Sequence, residues 1–260
     1  MTSLIFLTAM AATLGVVLIA RPAAAQTTPP PAVARPTAVR AVLASSSLPT
    51  VVDAPLHFKL LRVSVPAGQS AASTGGDGFV FQISGVLAVV SGADRRILRE
   101  GEAVFVGGGT STTLRAEGGG PAVFLHFLIL RAGDLDKAAE GPPAIVTELY
   151  RTAAPIPGLK PGPYEFSLTR ATLPPRLPAN PPHHRSGAAL YYIASGTGHT
   201  TFGGRTEPRP PGSIQYEPHD HVHQWANPGE TPLVLLQANI SQEGVPAVIF
   251  VPGAQPATPR

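Results

Sequence analysis

From Val51 onward the chain is written in short apolar runs cut by Gly and Pro: FKLLRVSV at 58–65, GFVFQI at 78–83, VLAVV at 86–90, EAVFV at 102–106 and PAVFLHFLIL at 121–130. Runs of this length, rich in β-branched residues and bounded by turn formers, predict strands. No stretch sustains the period of a long amphipathic helix, and DLDKAAE at 134–140 predicts one or two helical turns at most. Residues 26–50 carry no apolar period. Their Pro, Ala, Thr and Ser mixture cannot bury enough surface to offset its ordering entropy, which predicts a disordered tether.

The strand pattern occurs twice. Gly85 follows the run FVFQIS and Gly101 follows sixteen residues later; Gly196 follows LYYIAS and Gly212 comes at the same interval. The offset of 111 residues carries into the last strand, where Pro121, Val123 and Leu125 fall on Pro232, Val234 and Leu236. Upstream the offset is 108, matching Arg62 and Pro66 to Arg170 and Pro174, with an insertion around Asn180-Pro181-Pro182. Two tandem copies of a roughly 80-residue all-β unit with glycines at the strand corners predict two small barrels. The expected organisation is a leader over 1–25, the tether over 26–50, an N-terminal barrel over 51–133, a connection over 134–160, a C-terminal barrel over 161–250 and a tail over 251–260.

The leader rests on an apolar stretch from Leu4 to Ala20 followed by Arg21-Pro22 and Ala23-Ala24-Ala25. This order predicts a secretory signal cleaved after Ala25 and a periplasmic or secreted protein; an uncleaved membrane anchor is the alternative. Cysteine is absent, which excludes disulfides and thiolate metal sites. The net charge of +3 is small and the basic residues are scattered, which argues against nucleic acid and anionic membrane surfaces as partners.

In the C-terminal copy, Pro181-Pro182-His183-His184-Arg185 leads through Ala189 to Gly196, and Pro210-Pro211-Gly212 leads through Pro218 to His223 and Asn227. With the tandem repeat, this resembles the cupin superfamily in a bicupin arrangement over about residues 60–250. The resemblance implies two double-sheet jelly rolls, a fold that by itself sets no reaction. It also implies a metal at the barrel mouth. By position, His183 and His223 stand where two ligands are expected, whereas Arg185 and Ala189 replace an imidazole and a carboxylate. The N-terminal copy holds Ala72, Thr74, Gly78 and Thr112 at the four places, so that barrel reads as a structural partner.

Six of the eight histidines lie between 183 and 223. A divalent Fe, Mn, Ni, Cu or Zn ion held by His183, His184, His221 and His223 is one reading, since neutral imidazole is a good donor. A metal-free pocket is the other. There Arg185 grips a carboxylate or other anion, with Tyr191, His199, His219 and Asn227 as further ligand-binding candidates. The first implies a metal-dependent oxygenase or isomerase acting on a small organic substrate, with Asp220 or Asn227 orienting the ligands. The second implies a non-catalytic periplasmic module for a small anionic molecule. A homodimer and a monomer are both compatible with two barrels in one chain.

Overall fold

The computed structural model describes residues 37–51 and 55–253. The expected leader, the first part of the expected tether and most of the expected tail lie outside them. Among the described residues no helix is long and apolar enough to cross a membrane.

The fold is all-β. In chain order the strands are β1 (Val39–Val51), β2 (Leu56–Val65), β3 (Ser70–Ser73), β4 (Asp77–Ser84), β5 (Val86–Ser91), β6 (Asp94–Leu98), β7 (Ala103–Val106), β8 (Thr112–Glu117), β9 (Ala122–Arg131) and β10 (Ile145–Arg151). They continue with β11 (Gly162–Leu173), β12 (His183–Arg185), β13 (Ala188–Ser195), β14 (Gly198–Phe202), β15 (Arg205–Arg209), β16 (Ile214–Glu217), β17 (His223–Ala226), β18 (Leu233–Gln242) and β19 (Val248–Phe250). The N-terminal barrel pairs sheet β10-β2-β9-β4-β7 with sheet β3-β8-β5-β6. The C-terminal barrel pairs sheet β1-β11-β18-β13-β16 with sheet β15-β14-β17-β12-β19. The only helical turn among the described residues is a single 3-10 turn at Ala132–Asp134, just ahead of most of the segment from which helix was expected.

The repeat seen in the sequence is a repeat of backbone geometry. Gly85 and Gly196 take φ of 76° and 74°, and Gly101 and Gly212 take 83° and 82°. A Cβ at Gly85 would meet the Pro121 carbonyl oxygen at 2.3 Å, and one at Gly196 the Pro232 carbonyl oxygen at 2.6 Å. Both a positive φ and a close backbone approach therefore demand glycine at these corners.

Two boundaries need correction. Residues 39–50, expected within the tether, form β1 together with Val51 and pair antiparallel with β11, with Val39 opposite Thr172 and Leu48 opposite Tyr164. Residues 145–151, expected within the connection, form β10 and pair with β2. Each barrel thus takes its outermost strand from outside its own sequence repeat. The SSS and alternating small residues of β1 lack the bulky apolar period; the strand is held by a ladder and by buried Leu48 rather than by a hydrophobic stripe.

The large sheets bury both faces. On β2, Phe58 and Leu60 face the other barrel while Leu61, Val63 and Val65 face the lumen. On β9, Leu125, Phe127 and Ile129 face outward to the interface while Phe124, Leu128 and Leu130 face inward. This explains the unbroken run VFLHFLIL: a strand covered on both sides does not alternate. The interface cluster joins Phe58, Phe79 and Phe127 to Phe166, Leu190 and Leu236 of the C-terminal barrel. Burying each such aromatic stabilises the assembly by about 2 kcal/mol.

Candidate functional site

The two lumens differ in kind. The N-terminal one is filled by Leu61, Val80, Leu87, Leu114 and Phe124, with a buried hydrogen-bonded couple, His126 Nδ1 with Glu140 Oε1. His57 is tied to Thr152. None of the four motif positions holds a metal ligand there, and the strand register places Ser73, not Ala72, opposite Thr112 as His183 stands opposite His223. The C-terminal lumen is lined by Leu173, Ala189, Tyr191, Ile193, Trp225, Leu233 and Leu235, and it encloses charge.

At its centre is Arg185, fully buried on the three-residue strand β12. Its Nε donates to Glu217 Oε2 at 2.8 Å and its Nη2 donates to the Tyr191 hydroxyl. Trp225 Nε1 donates to the other oxygen, Glu217 Oε1, at 2.7 Å. A buried charge pair is stable only when its remaining lone pairs and protons are met, and here the indole and the phenol meet most of them. Among the described residues Arg185 Nη1 has no partner. Burial by itself would raise the Glu217 carboxyl, but Arg185 and His223 outweigh it and hold its pKa at about 2.

Strand alternation on β12 sends His183 inward with Arg185 and His184 outward. The His183 and His223 rings meet across the β12–β17 pair with centroids 4.3 Å apart. His183 Nδ1 donates to the Pro181 carbonyl and His223 Nδ1 to the His221 carbonyl, each at 2.9 Å. A carbonyl only accepts, so both rings carry a proton on Nδ1 and use Nε2 for anything else. Burial, then the neighbouring His223, holds the His183 pKa down to about 4. His223 Nε2 lies 2.9 Å from Glu217 Oε2.

The remaining candidates are not in the lumen. His184 Nδ1 pairs with Asp220 Oδ1 at 3.0 Å on the outer face. His221 is exposed, its ring packed edge-on to Phe202 at 5.4 Å. His219 bonds through Nδ1 to the Ser186 carbonyl and packs on Gly158. His199 alternates with inward Thr200 and therefore faces out. Asn227 is fully buried but fully used: its Nδ2 donates to the carbonyls of Leu173, Pro174 and Thr231, and its Oδ1 accepts from Gly229. It staples a loop rather than a ligand. Of the four histidines expected to ligate a metal, His183 and His223 come together; His184 and His221 do not join them.

Sequence reasoning missed Glu217. No apolar run marks IQYE as a strand, and the structure sets Glu217 at its end, directly opposite Ala189, the position whose carboxylate is missing. A tight divalent site needs three or four converging donors. Among the described residues no three His, Asp or Glu side chains converge in that way. The one carboxylate near the two imidazoles is engaged by a guanidinium that would repel a cation. The residues as arranged do not fit a resident metal ion.

Two jelly-roll barrels, an N-terminal one with a mostly apolar lumen and a C-terminal one that encloses the Arg185–Glu217 pair, define a double-barrel protein. Residues 169–239 match the family model of the Cupin domain. The match falls within the C-terminal barrel, and the two-barrel fold is cupin-like. The fold is similar to that of oxalate decarboxylase from Bacillus subtilis, at 13% identity and a TM-score of 0.52 over 80% of this chain and 74% of that one. It is similar also to AerE from Microcystis aeruginosa, at 13% identity and 0.51 over 77% of this chain and 99% of that one. Oxalate decarboxylase from Lactobacillus farciminis gives 13% identity and 0.50 over 74% and 79%. The Bacillus enzyme has Mn(II) centres. No curated protein sequence matches the chain.

Proposed function

We propose that the protein is an exported bicupin-like binding protein whose C-terminal barrel takes a small organic acid without a metal. The observation that carries this reading is Arg185 Nη1, a buried cationic donor left without a partner beside two imidazoles whose Nδ1 atoms are tied back. An orphaned charged donor costs more than a neutral one, and a carboxylate or carbonyl oxygen removes that cost. His183, neutral at pH 7, offers an Nε2 acceptor for the acid's hydroxyl or an adjacent donor. Trp225, Leu233 and Leu235 supply an apolar wall that suits a short carbon skeleton. The rings of Phe202 and Phe250 flank the pair, 6.4 Å from His223 and 5.9 Å from His183. Export rests on the apolar stretch from Leu4 and the small residues up to Ala25.

The test is a thermal-shift series with formate, acetate, oxalate and malonate against their amides. An acid present at about 100 times its Kd should stabilise the fold by about 2.7 kcal/mol. The shift should vanish in His183→Gln and in Arg185→Lys. Wild-type protein that melts cooperatively and responds to none of the acids would overturn the reading. A stoichiometric transition metal lost in His223→Ala would favour the other one, a metal-dependent oxygenase or isomerase.

A further inference from the structure

We infer that the C-terminal barrel contains a displaced metal site in which the Arg185 guanidinium stands in for the ion and Glu217 is its carboxylate ligand, so that one substitution, Arg185→His, converts it into a metal-binding barrel. The inference concerns the electrostatic design of the lumen and stands whether or not the wild-type protein binds an organic acid.

Three observations converge. Ala189 leaves the lumen without the carboxylate implied at that position, yet Glu217 is its direct cross-strand partner in the β13–β16 ladder. Cross-strand partners have Cβ atoms about 5 Å apart on the same face, so a carboxylate moved from one to the other stays in the same chamber. Secondly, His183 and His223 keep the backbone-tethered Nδ1 that turns Nε2 away from the tether, which is the arrangement of a metal ligand's outer hydrogen bond, and His223 Nε2 already lies 2.9 Å from Glu217 Oε2. Thirdly, Arg185 occupies the inward position two residues after His183 and places its positive charge 2.8 Å from the carboxylate. A fixed cation there neutralises Glu217 and keeps a second cation out by like-charge repulsion. With an imidazole at 185 the lumen would offer three histidines and one glutamate, an ordinary donor set for a divalent transition ion.

The experiment compares wild type, Arg185→His, Arg185→Met and the double variant Arg185→His/Glu217→Gln. Each is prepared without a histidine tag and refolded from urea with and without Zn²⁺ or Mn²⁺. Metal content is read by elemental analysis and stability by thermal unfolding. Arg185→Met removes the guanidinium without offering a donor, so it controls for simple loss of the buried ion pair. Arg185→His should retain about one equivalent of metal per chain and refold or melt in a metal-dependent way. Wild type, Arg185→Met and the double variant should not. The inference is overturned if Arg185→His gains no more from metal than Arg185→Met does, if the double variant retains metal equally well, or if the wild-type chain itself holds a stoichiometric ion.

Discussion

The Phe79 ring of the N-terminal barrel lies 4.4 Å, centroid to centroid, from the Phe166 ring of the C-terminal barrel, at an interplanar angle of 46°. Both residues are fully buried in a cluster shared by the two large sheets, so the barrels have no separate cores on this side. Phe79→Ala should cost about 3–5 kcal/mol. Because the lost contact is common property, scanning calorimetry should show one cooperative transition at a lower Tm. Two resolved transitions in the variant would contradict a shared core.

Glu217→Gln should be among the most destabilising single changes in the C-terminal barrel. It leaves the Arg185 guanidinium buried without its counter-charge, a loss of about 3–5 kcal/mol when a buried pair is broken from one side. Substituting both, as Arg185→Met/Glu217→Gln, should recover part of that loss. Urea midpoints of the single and double variants decide it.

Stability should fall with acid in two overlapping steps. The folded His183 pKa is held at about 4 against 6.5 unfolded, so the folded state resists protonation and stability drops as pH falls from 6.5 towards 4. The Glu217 carboxyl is held at about 2 against 4.5, so its contribution is present above 4.5 and is lost as pH falls towards 2. Both signs run the same way. In His183→Gln the dependence of the urea midpoint between pH 6.5 and 4 should flatten, whereas the lower step should remain.

Asn227→Ala should destabilise without touching ligand binding. Its amide makes four hydrogen bonds to the loop around Thr231 and to the end of β11, each worth about 1 kcal/mol net. A lowered denaturation midpoint with an unchanged acid-induced thermal shift is the expected pair of results. Loss of the shift in a folded variant would return Asn227 to the site.

Removing residues 1–36 should leave the fold intact, whereas removing residues 1–51 should not. The second deletion strips the ladder from β11 and uncovers the face that Leu48 helps to bury. Circular dichroism and size-exclusion chromatography of the two truncations separate a tether from a structural strand.

The two barrels were legible because their corners are written in glycine: Gly85 with Gly196 and Gly101 with Gly212 have backbone angles other residues rarely adopt. The split of the histidines was legible in part. Inward parity on β12 follows from alternation, so His183 and Arg185 share a face, but the outward turn of His221 depends on a loop in which Asp220 takes φ of 63°. Glu217 was hidden by its neighbours, since EPHDHVH reads as a polar loop until strand β16 is known to end inside it. β1 was hidden by composition, because small and polar residues can complete a ladder without an apolar stripe.

The crossed-over strands also set an order on how the molecule can assemble. β1 is the first described strand to leave the ribosome, yet its hydrogen-bonding partner ends at Leu173. The N-terminal barrel likewise lacks its outer strand until Arg151 has been made. Pairing across so many intervening residues raises contact order and delays closure until loop entropy has been overcome. The chain therefore has no early stopping point at which one finished barrel waits for the other. It must be held open until most of it exists, and unpaired edges during that interval are where misassembly would begin.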